Sequence, residues 1–246
     1  MNHKNIEQTL VLIKPDALKN SLTGYVLSQL SEFHTGLRFA GAKIVQVSKM
    51  LAEQHYAEHQ GKIFFPFIID YLMGIAHYPD EVWKRRVKAF VYQGEDAIQK
   101  VRTICGPTDP HEAREKHPGC IRALGTVVIL KDKSGQEIGQ RIDNLIHASA
   151  NIEDAEREIK LWFKPSDIPP GMHIFPTQIS KEHIYYLNGK LYDKYCEGSI
   201  CLFAPGDCVW KSDIEAINSY KKETISKTSI ESVAAKYMIN LPFDKP

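Results

Sequence analysis

The sequence has no hydrophobic run long enough to cross a membrane. Its most apolar short stretch, Phe64–Ile69, ends at Asp70, far short of the ~20 residues that a membrane-spanning helix needs. The N-terminal residues Met1–Gln8 are polar and do not form the apolar core of a secretory signal. These observations predict a chain that neither enters a membrane nor is exported.

The sequence also has almost no net charge, no disulfide framework and no P-loop motif. Thirty-one Lys and Arg against 30 Asp and Glu leave a formal charge of +1, so no overall positive field favours a nucleic acid or an anionic membrane. The cysteines are five in 246 residues, an odd number that is typical of reduced thiols and predicts a cytoplasmic location. No GxxxxGK(S/T) loop occurs, which argues against a P-loop enzyme.

The composition that is present, 43% apolar and 25% charged residues, is typical of a globular protein. Short apolar runs predict buried strands at Thr9–Ile13, Ala42–Val47 and Val87–Tyr92. Apolar residues at three- and four-residue spacing predict helices over residues 17–33, 51–61, 63–72, 94–104 and 151–163. Residues 126–130 and 137–142 flank turn residues and predict a hairpin, whereas 106–119, rich in Gly and Pro, predicts a loop.

The order of these elements predicts an α+β fold. We expect a ferredoxin-like, split β-α-β antiparallel sheet with helices on its faces, an inserted hairpin at residues 130–143 and a C-terminal extension. The first domain covers residues 1–165. Residues 166–246 have a different sequence pattern, in which only 212–222 and 228–238 have a convincing helical composition. We expect them to form an extension of unknown role that packs on the core or on partner subunits.

One histidine lies where a predicted strand ends and a helix begins. A lone histidine such as His147 is more often structural than catalytic. However, Glu158 shares a helical stripe with Ala155 and Trp162, so it faces inward and can reach back toward His147 or Ser149. A carboxylate there can orient the ring, as a nucleophilic histidine requires.

Further polar and aromatic candidates lie at the ends of other predicted elements. They are Lys14, Arg102, Thr108 and Arg122, which could bind phosphate, and the aromatics Tyr56 and Phe64. Each residue taken alone is more often a solvated charge or a packed core aromatic. Their spacing does not show whether they converge.

Taken together and in order, these segments resemble the nucleoside diphosphate kinase family over residues 8–165. The motifs that carry the resemblance are Thr9–Ala17, His55-Tyr56, Phe64-Phe65, Arg102 with Gly106–Pro110, Pro118–Arg122 and Asn144–Phe163. The last of these is highly specific.

The resemblance implies ping-pong phosphoryl transfer between nucleoside triphosphates and diphosphates, in which His147 becomes a phosphohistidine. It implies phosphate contacts for Lys14, Tyr56, Arg102, Thr108, Arg122 and Asn144. Asn144 also matches a residue that contacts the sugar, and Phe64 matches the aromatic that stacks on the base. Glu158 and Ser149 match the residues that orient the histidine.

The implied cofactor is Mg²⁺, carried by the substrate phosphates with no metal site of the chain's own. A loose transition state spreads negative charge over the phosphoryl oxygens, and the cationic side chains fit that chemistry. A single aromatic ring stacks on any base, which fits an enzyme that accepts nucleotides regardless of their base. Compact members of the family assemble as tetramers or hexamers, so we expect a homo-oligomer, with no membrane or nucleic-acid partner.

The chain departs from the family pattern in three places. A longer segment, residues 73–86, replaces the usual Ser-Gly-Pro junction, and the predicted hairpin precedes Asn144. Ala148–Asn151 stands where Gly-Ser-Asp is usual, and Ala123-Leu124 replaces Gly-Asp. These departures keep a second hypothesis open, a catalytically weak nucleotide-binding or scaffold protein. A sheet-based RNA-binding module is disfavoured by the near-zero charge.

Overall fold

The computed structural model of the protein describes residues 6–240. Residues 1–5, which carry part of the prediction about the N-terminus, and 241–246 lie outside it. In the first part of the chain the strands are β1 (Ile6–Ile13), β2 (Arg38–Val45), β3 (Val87–Glu95), β4 (Thr126–Lys131), β5 (Glu137–Asp143) and β6 (Ile146–Ala148). The helices are α1 (Pro15–Lys19), α2 (Thr23–Gln29), α3 (Glu32–Thr35), α4 (Lys49–His55), α5 (Phe65–Leu72), α6 (Ala97–Cys105), α7 (Pro110–Lys116) and α8 (Ile152–Trp162).

A four-stranded antiparallel sheet organises this part, in the order β2-β3-β1-β6. Strand β1 lies between β3 and β6, and from Gln8 to Ile13 it is buried. Alternate residues of β1 enter two different apolar clusters, Leu10 and Leu12 in one and Val11 and Ile13 in the other, as expected for a strand covered on both faces. The predicted α+β fold is confirmed.

Two local predictions in this region are wrong. The single helix over residues 17–33 is divided into α1, α2 and α3. Ser21, between α1 and α2, adopts a left-handed backbone with φ +58°, and Phe33, at the end of the predicted helix, is 94% exposed. The predicted loop 106–119 contains α7. Asp109 caps this helix by accepting from the His111 backbone N–H at 2.7 Å, and Pro110 begins it, so Asp-Pro acts as a helix start.

The predicted hairpin and the helix after His147 are present. Strands β4 and β5 pair antiparallel from Thr126 opposite Asp143. Asn151 caps α8 by accepting from the Asp154 backbone N–H at 2.8 Å. The capped helix places Glu158 on its buried side, which is the side the sequence pattern predicts.

The C-terminal extension packs on this core. Its strands are β7 (Thr177–Ile179), β8 (Ile184–Leu187), β9 (Lys190–Tyr192), β10 (Ile200–Phe203) and β11 (Cys208–Trp210), followed by the helices α9 (Lys211–Lys221) and α10 (Ile230–Ala235). Both predicted helices are present, whereas the five short strands are not predicted. Trp210 is fully buried in the cluster of Leu10 and Leu12, and its Nε1–H donates to the Phe163 carbonyl at 2.7 Å.

No helix within residues 6–240 has the length and hydropathy of a membrane-spanning segment. All five cysteines are unpaired.

Candidate active site

A tight turn delivers the central histidine to the edge of the sheet. Leu145 adopts φ +69°, a conformation that is costly for a branched side chain. The Asp16 carboxylate stabilises it by accepting from the Leu145 backbone N–H at 2.8 Å, and the Leu145 carbonyl accepts from the Lys14 backbone N–H at 2.9 Å. The turn leads into β6, where His147 lies opposite Leu12 of β1.

Glu158 and Ser149 hold the imidazole of His147. The His147 Nε2 lies 2.9 Å from Glu158 Oε2, and Ser149 Oγ–H donates to the same oxygen at 2.7 Å. Because an ionised carboxylate only accepts hydrogen bonds, Nε2 carries the proton of the neutral ring and Nδ1 keeps a lone pair. Ser149 is fixed in turn, since its Oγ accepts from the Leu10 backbone N–H at 3.1 Å.

The environment of Glu158 keeps this carboxylate ionised. Burial opposes ionisation, but the charge and hydrogen bond of His147, with help from the hydrogen bond of Ser149, outweigh it and lower the Glu158 pKa from 4.5 to about 2. At neutral pH the carboxylate is therefore a permanent acceptor for His147.

This lowered pKa predicts a specific acid sensitivity. Between pH 4.5 and 2 the unfolded chain binds a proton at Glu158 that the folded chain does not. Stability that is fully present above pH 4.5 is therefore lost as the pH falls toward 2, by about 3 kcal/mol in total. We expect Glu158→Gln to flatten the curve of unfolding free energy against pH, measured with urea at pH 5.5, 4.5 and 3.5. Glu153→Gln, on the exposed face of α8, is the control, and equal slopes for the two variants would contradict the assignment.

A second histidine lies directly against the first. The rings of His55 and His147 meet edge to face with centroids 4.5 Å apart, and His55 is buried. Burial lowers the His55 pKa well below its ordinary value, so this ring is neutral. Its Nδ1 accepts from Trp162 Nε1–H at 3.2 Å, which places the remaining proton on Nε2.

His55, His147 and Glu158 are the group of possible metal ligands that the described residues bring together, with one ligand atom from each within 4.8 Å of the others. A metal would need the lone pair of a ring nitrogen from each histidine. The His55 Nδ1 is already occupied by Trp162 and its Nε2 is protonated, while the His147 Nε2 faces Glu158. These hydrogen bonds form a network that orients His147, and they already engage atoms that a metal would need.

Lys14 and Asn144 meet from positions 130 residues apart. Lys14 Nζ donates to Asn144 Oδ1, and Asn144 Nδ2 donates to the Thr108 carbonyl at 2.9 Å. The ammonium of Lys14 also lies 4.3 Å from the centroid of the Tyr71 ring. Burial is the main reason that the Lys14 pKa falls from 10.5 to about 8, so the side chain stays mostly charged at neutral pH.

Arg122 approaches the same turn from the other side. Its Nη2 donates to the Ile146 carbonyl at 3.1 Å, and its Nη1 donates to the Gly106 carbonyl at 2.8 Å. The guanidinium is thus fixed between the loop after α6 and the strand of His147. Two predicted cations, Lys14 and Arg122, therefore flank the turn that carries His147.

The remaining predicted residues lie further from these contacts. Tyr56 packs against His55, with centroids 4.7 Å apart, and stacks with His59 at 6.0 Å; burial raises its pKa. His59 in turn meets Phe64 edge to face at 5.4 Å, and Phe64 is 40% exposed. Arg102 is exposed on α6, and no contact joins it to Lys14, Asn144 or His147 in the described structure.

The sequence pattern did not predict roles for Asp16 and Tyr71. Asp16 stabilises the strained turn, and the Tyr71 hydroxyl accepts from the Asn144 backbone N–H at 3.2 Å. The position of Asp16, immediately after Lys14-Pro15, is the one signal that could have suggested its role. Tyr71 ends an apolar helix, and nothing in its spacing distinguishes it from a core residue.

Comparison with known proteins decides the family. A family model described as nucleoside diphosphate kinase matches residues 7–168, more than half of the chain. The chain belongs to the nucleoside diphosphate kinase family. All the residues of the candidate site lie within the matched region.

Relatives within the nucleoside diphosphate kinase family support this assignment. The chain is 36% identical over 202 residues to the nucleoside diphosphate kinase of Thermococcus kodakarensis, covering 82% of this chain and 99% of that protein. It is 40% identical over 163 residues to the one from Pyrococcus furiosus, covering 66% and 86%. A solved structure from Borrelia burgdorferi, a transition state mimic with bound vanadate and ADP, matches with a TM-score of 0.51 and 30% identity over 69% of this chain and 94% of that chain.

Proposed function

We propose that this protein transfers the γ-phosphate of a nucleoside triphosphate to a nucleoside diphosphate through a phosphohistidine at His147. The observation that carries the proposal is the hydrogen bond between His147 Nε2 and Glu158. Because this bond fixes the proton on Nε2, the nucleophile is Nδ1, on a ring that directly follows the turn contacted by Lys14 and Arg122.

The transfer has two balanced steps. In the first, the Nδ1 lone pair of His147 bonds to the γ-phosphorus while the bond from phosphorus to the bridging oxygen breaks, and the diphosphate leaves with that electron pair. In the second, a terminal oxygen of another diphosphate attacks the phosphohistidine and the N–P bond breaks. Charge on the transferred oxygens is offset by Lys14, Arg122 and Arg102.

The other predicted residues have supporting roles. Glu158 and Ser149 hold the tautomer of His147, and Glu158 stabilises the positive charge that develops on the ring. Tyr56 and Thr108 are assigned to the phosphates, and Asn144 to both phosphate and sugar. Phe64, exposed at the start of α5, offers a face on which a base stacks, a contact worth about 1–3 kcal/mol for any base.

Magnesium is assigned to the substrate and not to the chain. The side chains around His147 offer amide, hydroxyl and cationic groups, and Glu158 is already engaged with His147 and Ser149. Mg²⁺ prefers oxygen ligands and is commonly bound through substrate phosphates. When bound, it neutralises phosphate charge. This chain would contact it through the nucleotide that Lys14, Asn144 and Arg122 hold.

The catalytic unit in this proposal is residues 1–165, with 166–246 as an added unit. The match of the family model to residues 7–168 supports that division. Most buried apolar residues of the extension form a cluster of their own, while Trp210 packs into the core of the catalytic unit. The protein is proposed to act as a homo-oligomer, a tetramer or hexamer as in compact family members. The cytoplasmic location stays a prediction.

The Lys14 assignment predicts a pH-dependent affinity. Because the pKa of this buried lysine is about 8, the free protein loses its ammonium charge as the pH rises above 8. We expect ADP affinity, measured by calorimetry, to fall about fivefold between pH 8 and 9, because the charged fraction of Lys14 falls by that factor. Lys14→Met should bind ADP weakly and without this dependence, and Lys133→Met, in the exposed hairpin turn, should retain it. A flat wild-type profile would remove Lys14 from the phosphate site.

The experiment that tests the function is transfer of label from γ-labelled ATP to an unlabelled diphosphate such as GDP. We expect parallel lines in double-reciprocal plots, which are the signature of a ping-pong mechanism. Nucleotide binding with no transfer would instead support a scaffold protein that has kept the fold.

A further inference from the structure

A buried polar cluster lies beside the phosphate site in segments that the proposed mechanism does not use. His77 Nε2 lies 2.8 Å from Asp143 Oδ2. Arg141 donates to both oxygens of the same carboxylate, from Nε at 2.6 Å and from Nη2 at 3.0 Å. His77 and Asp143 are only 6% and 7% exposed. We call these three residues the His77 cluster.

The His77 cluster joins the two segments in which the chain departs from its family. His77 belongs to the longer segment 73–86, and Arg141 and Asp143 belong to β5 of the inserted hairpin. A buried carboxylate without partners is costly, so the cluster holds the two insertions together at the base of the hairpin. Burial opposes ionisation of Asp143, but the hydrogen bonds of His77 and Arg141 outweigh it and lower its pKa to about 2.

The cluster also continues into the phosphate site. Asp143 directly precedes Asn144, whose backbone N–H donates to the Tyr71 hydroxyl at 3.2 Å. The Tyr71 ring packs against His77, with centroids 5.2 Å apart, and the Lys14 ammonium lies 4.3 Å from the centroid of the Tyr71 ring. Tyr71 therefore touches the cluster, the backbone of Asn144 and the charge of Lys14.

We propose that His77, Asp143 and Arg141 are positioning residues that hold Asn144 and Tyr71 so that Lys14 points at the nucleotide phosphates. This assignment rests on the proposed function and extends it to the two insertions. The cluster touches neither His147 nor Glu158 in the described structure. Its effect therefore reaches the nucleotide through Lys14 and Asn144 and leaves the tautomer of His147 unchanged.

The test compares the KM and kcat of His77→Leu with those of the wild-type protein. Leu cannot donate to Asp143, so we expect the KM for the triphosphate to rise about tenfold, with a smaller fall in kcat because Lys14 also offsets charge on the transferred oxygens. His77→Gln restores a donor, and we expect it to return the KM to within about threefold of the wild-type value. His183→Leu, an exposed histidine of the extension, is the matched control and should leave both constants unchanged.

A purely structural role gives a different result. If His77→Leu only lowered the folded fraction, the apparent kcat and the melting temperature would fall while the KM stayed constant, and the positioning role would be overturned. An unchanged KM in a fully folded variant would overturn it as well.

Failure of the proposed function is recognised separately. It would appear as absence of phosphoryl transfer in the wild-type protein. The positioning role is then tested through the dissociation constant for ADP. We expect His77→Leu to raise this constant about tenfold and His77→Gln to restore it. A dissociation constant that His77→Leu leaves unchanged would overturn the positioning role on its own.

Discussion

We expect His147→Ala to reduce phosphoryl transfer by about 10⁴-fold or more, because the variant has no nucleophile to accept the phosphoryl group. The wild-type protein incubated with γ-labelled ATP should carry an acid-labile label, as an N–P bond does, and His147→Ala should carry none. The fold should survive, since the side chain is 18% exposed at the edge of the sheet and its loss leaves Glu158 hydrogen-bonded to Ser149.

The matched control is His34→Ala, which removes an exposed histidine of α3. This variant should label and transfer like the wild-type protein. Label that persists in His147→Ala would assign the nucleophile to another residue. Full ADP binding with loss of label is the outcome that isolates the chemical role of His147, because Lys14 and Asn144 would still hold the nucleotide.

The second large effect is expected in the C-terminal extension. Lys236 and Asp213 form an ion pair with Nζ and Oδ2 2.9 Å apart, and they are 1% and 2% exposed. Burial raises the Asp213 pKa and lowers that of Lys236, so each charge depends on the other. Lys236→Met leaves a buried, unpaired carboxylate, and we expect a loss of about 3–5 kcal/mol. For a chain of this size that corresponds to a fall in melting temperature of roughly 10 °C.

Two further variants test the cause. The double variant Asp213→Leu and Lys236→Met has no unpaired charge, and it should recover most of the lost free energy of unfolding. Lys221→Met breaks an exposed pair with Glu182 and should cost less than about 1 kcal/mol. Equal losses for Lys236→Met and Lys221→Met, measured by thermal unfolding, would show that burial does not govern this pair.

The elements that could be predicted from the sequence are those whose signal is local. Strand β1 is a continuous apolar run, and the hairpin has a turn composition between two short strands. Asn151 and the acidic residues after it identify the start of α8. The inward face of Glu158 follows from helical spacing alone, and that spacing is what made His147 the central candidate.

The sequence predicts the wrong element where one residue type has two structural uses. The pair Asp109-Pro110 is typical of a loop, but here it caps and begins α7. Apolar spacing from Ala17 to Phe33 indicated one helix, yet the backbone turns at Ser21. Proline and regular spacing are compatible with both outcomes, and packing against the sheet selects between them.

The amino-acid pattern alone determined the strands β1, β2 and β3 of the main sheet and the inward face of Glu158, because these depend on neighbours within one strand or one helix turn. Its motifs, taken in order, determined the family. The fourth strand of the main sheet, β6, is not predicted. Only the folded chain decided that Lys14 meets Asn144, that Tyr71 and the His77 cluster support both, and that Trp210 completes the core. Those contacts join residues 47 to 130 positions apart. Tertiary packing brings such residues together, and the periodicity of the sequence does not predict these contacts.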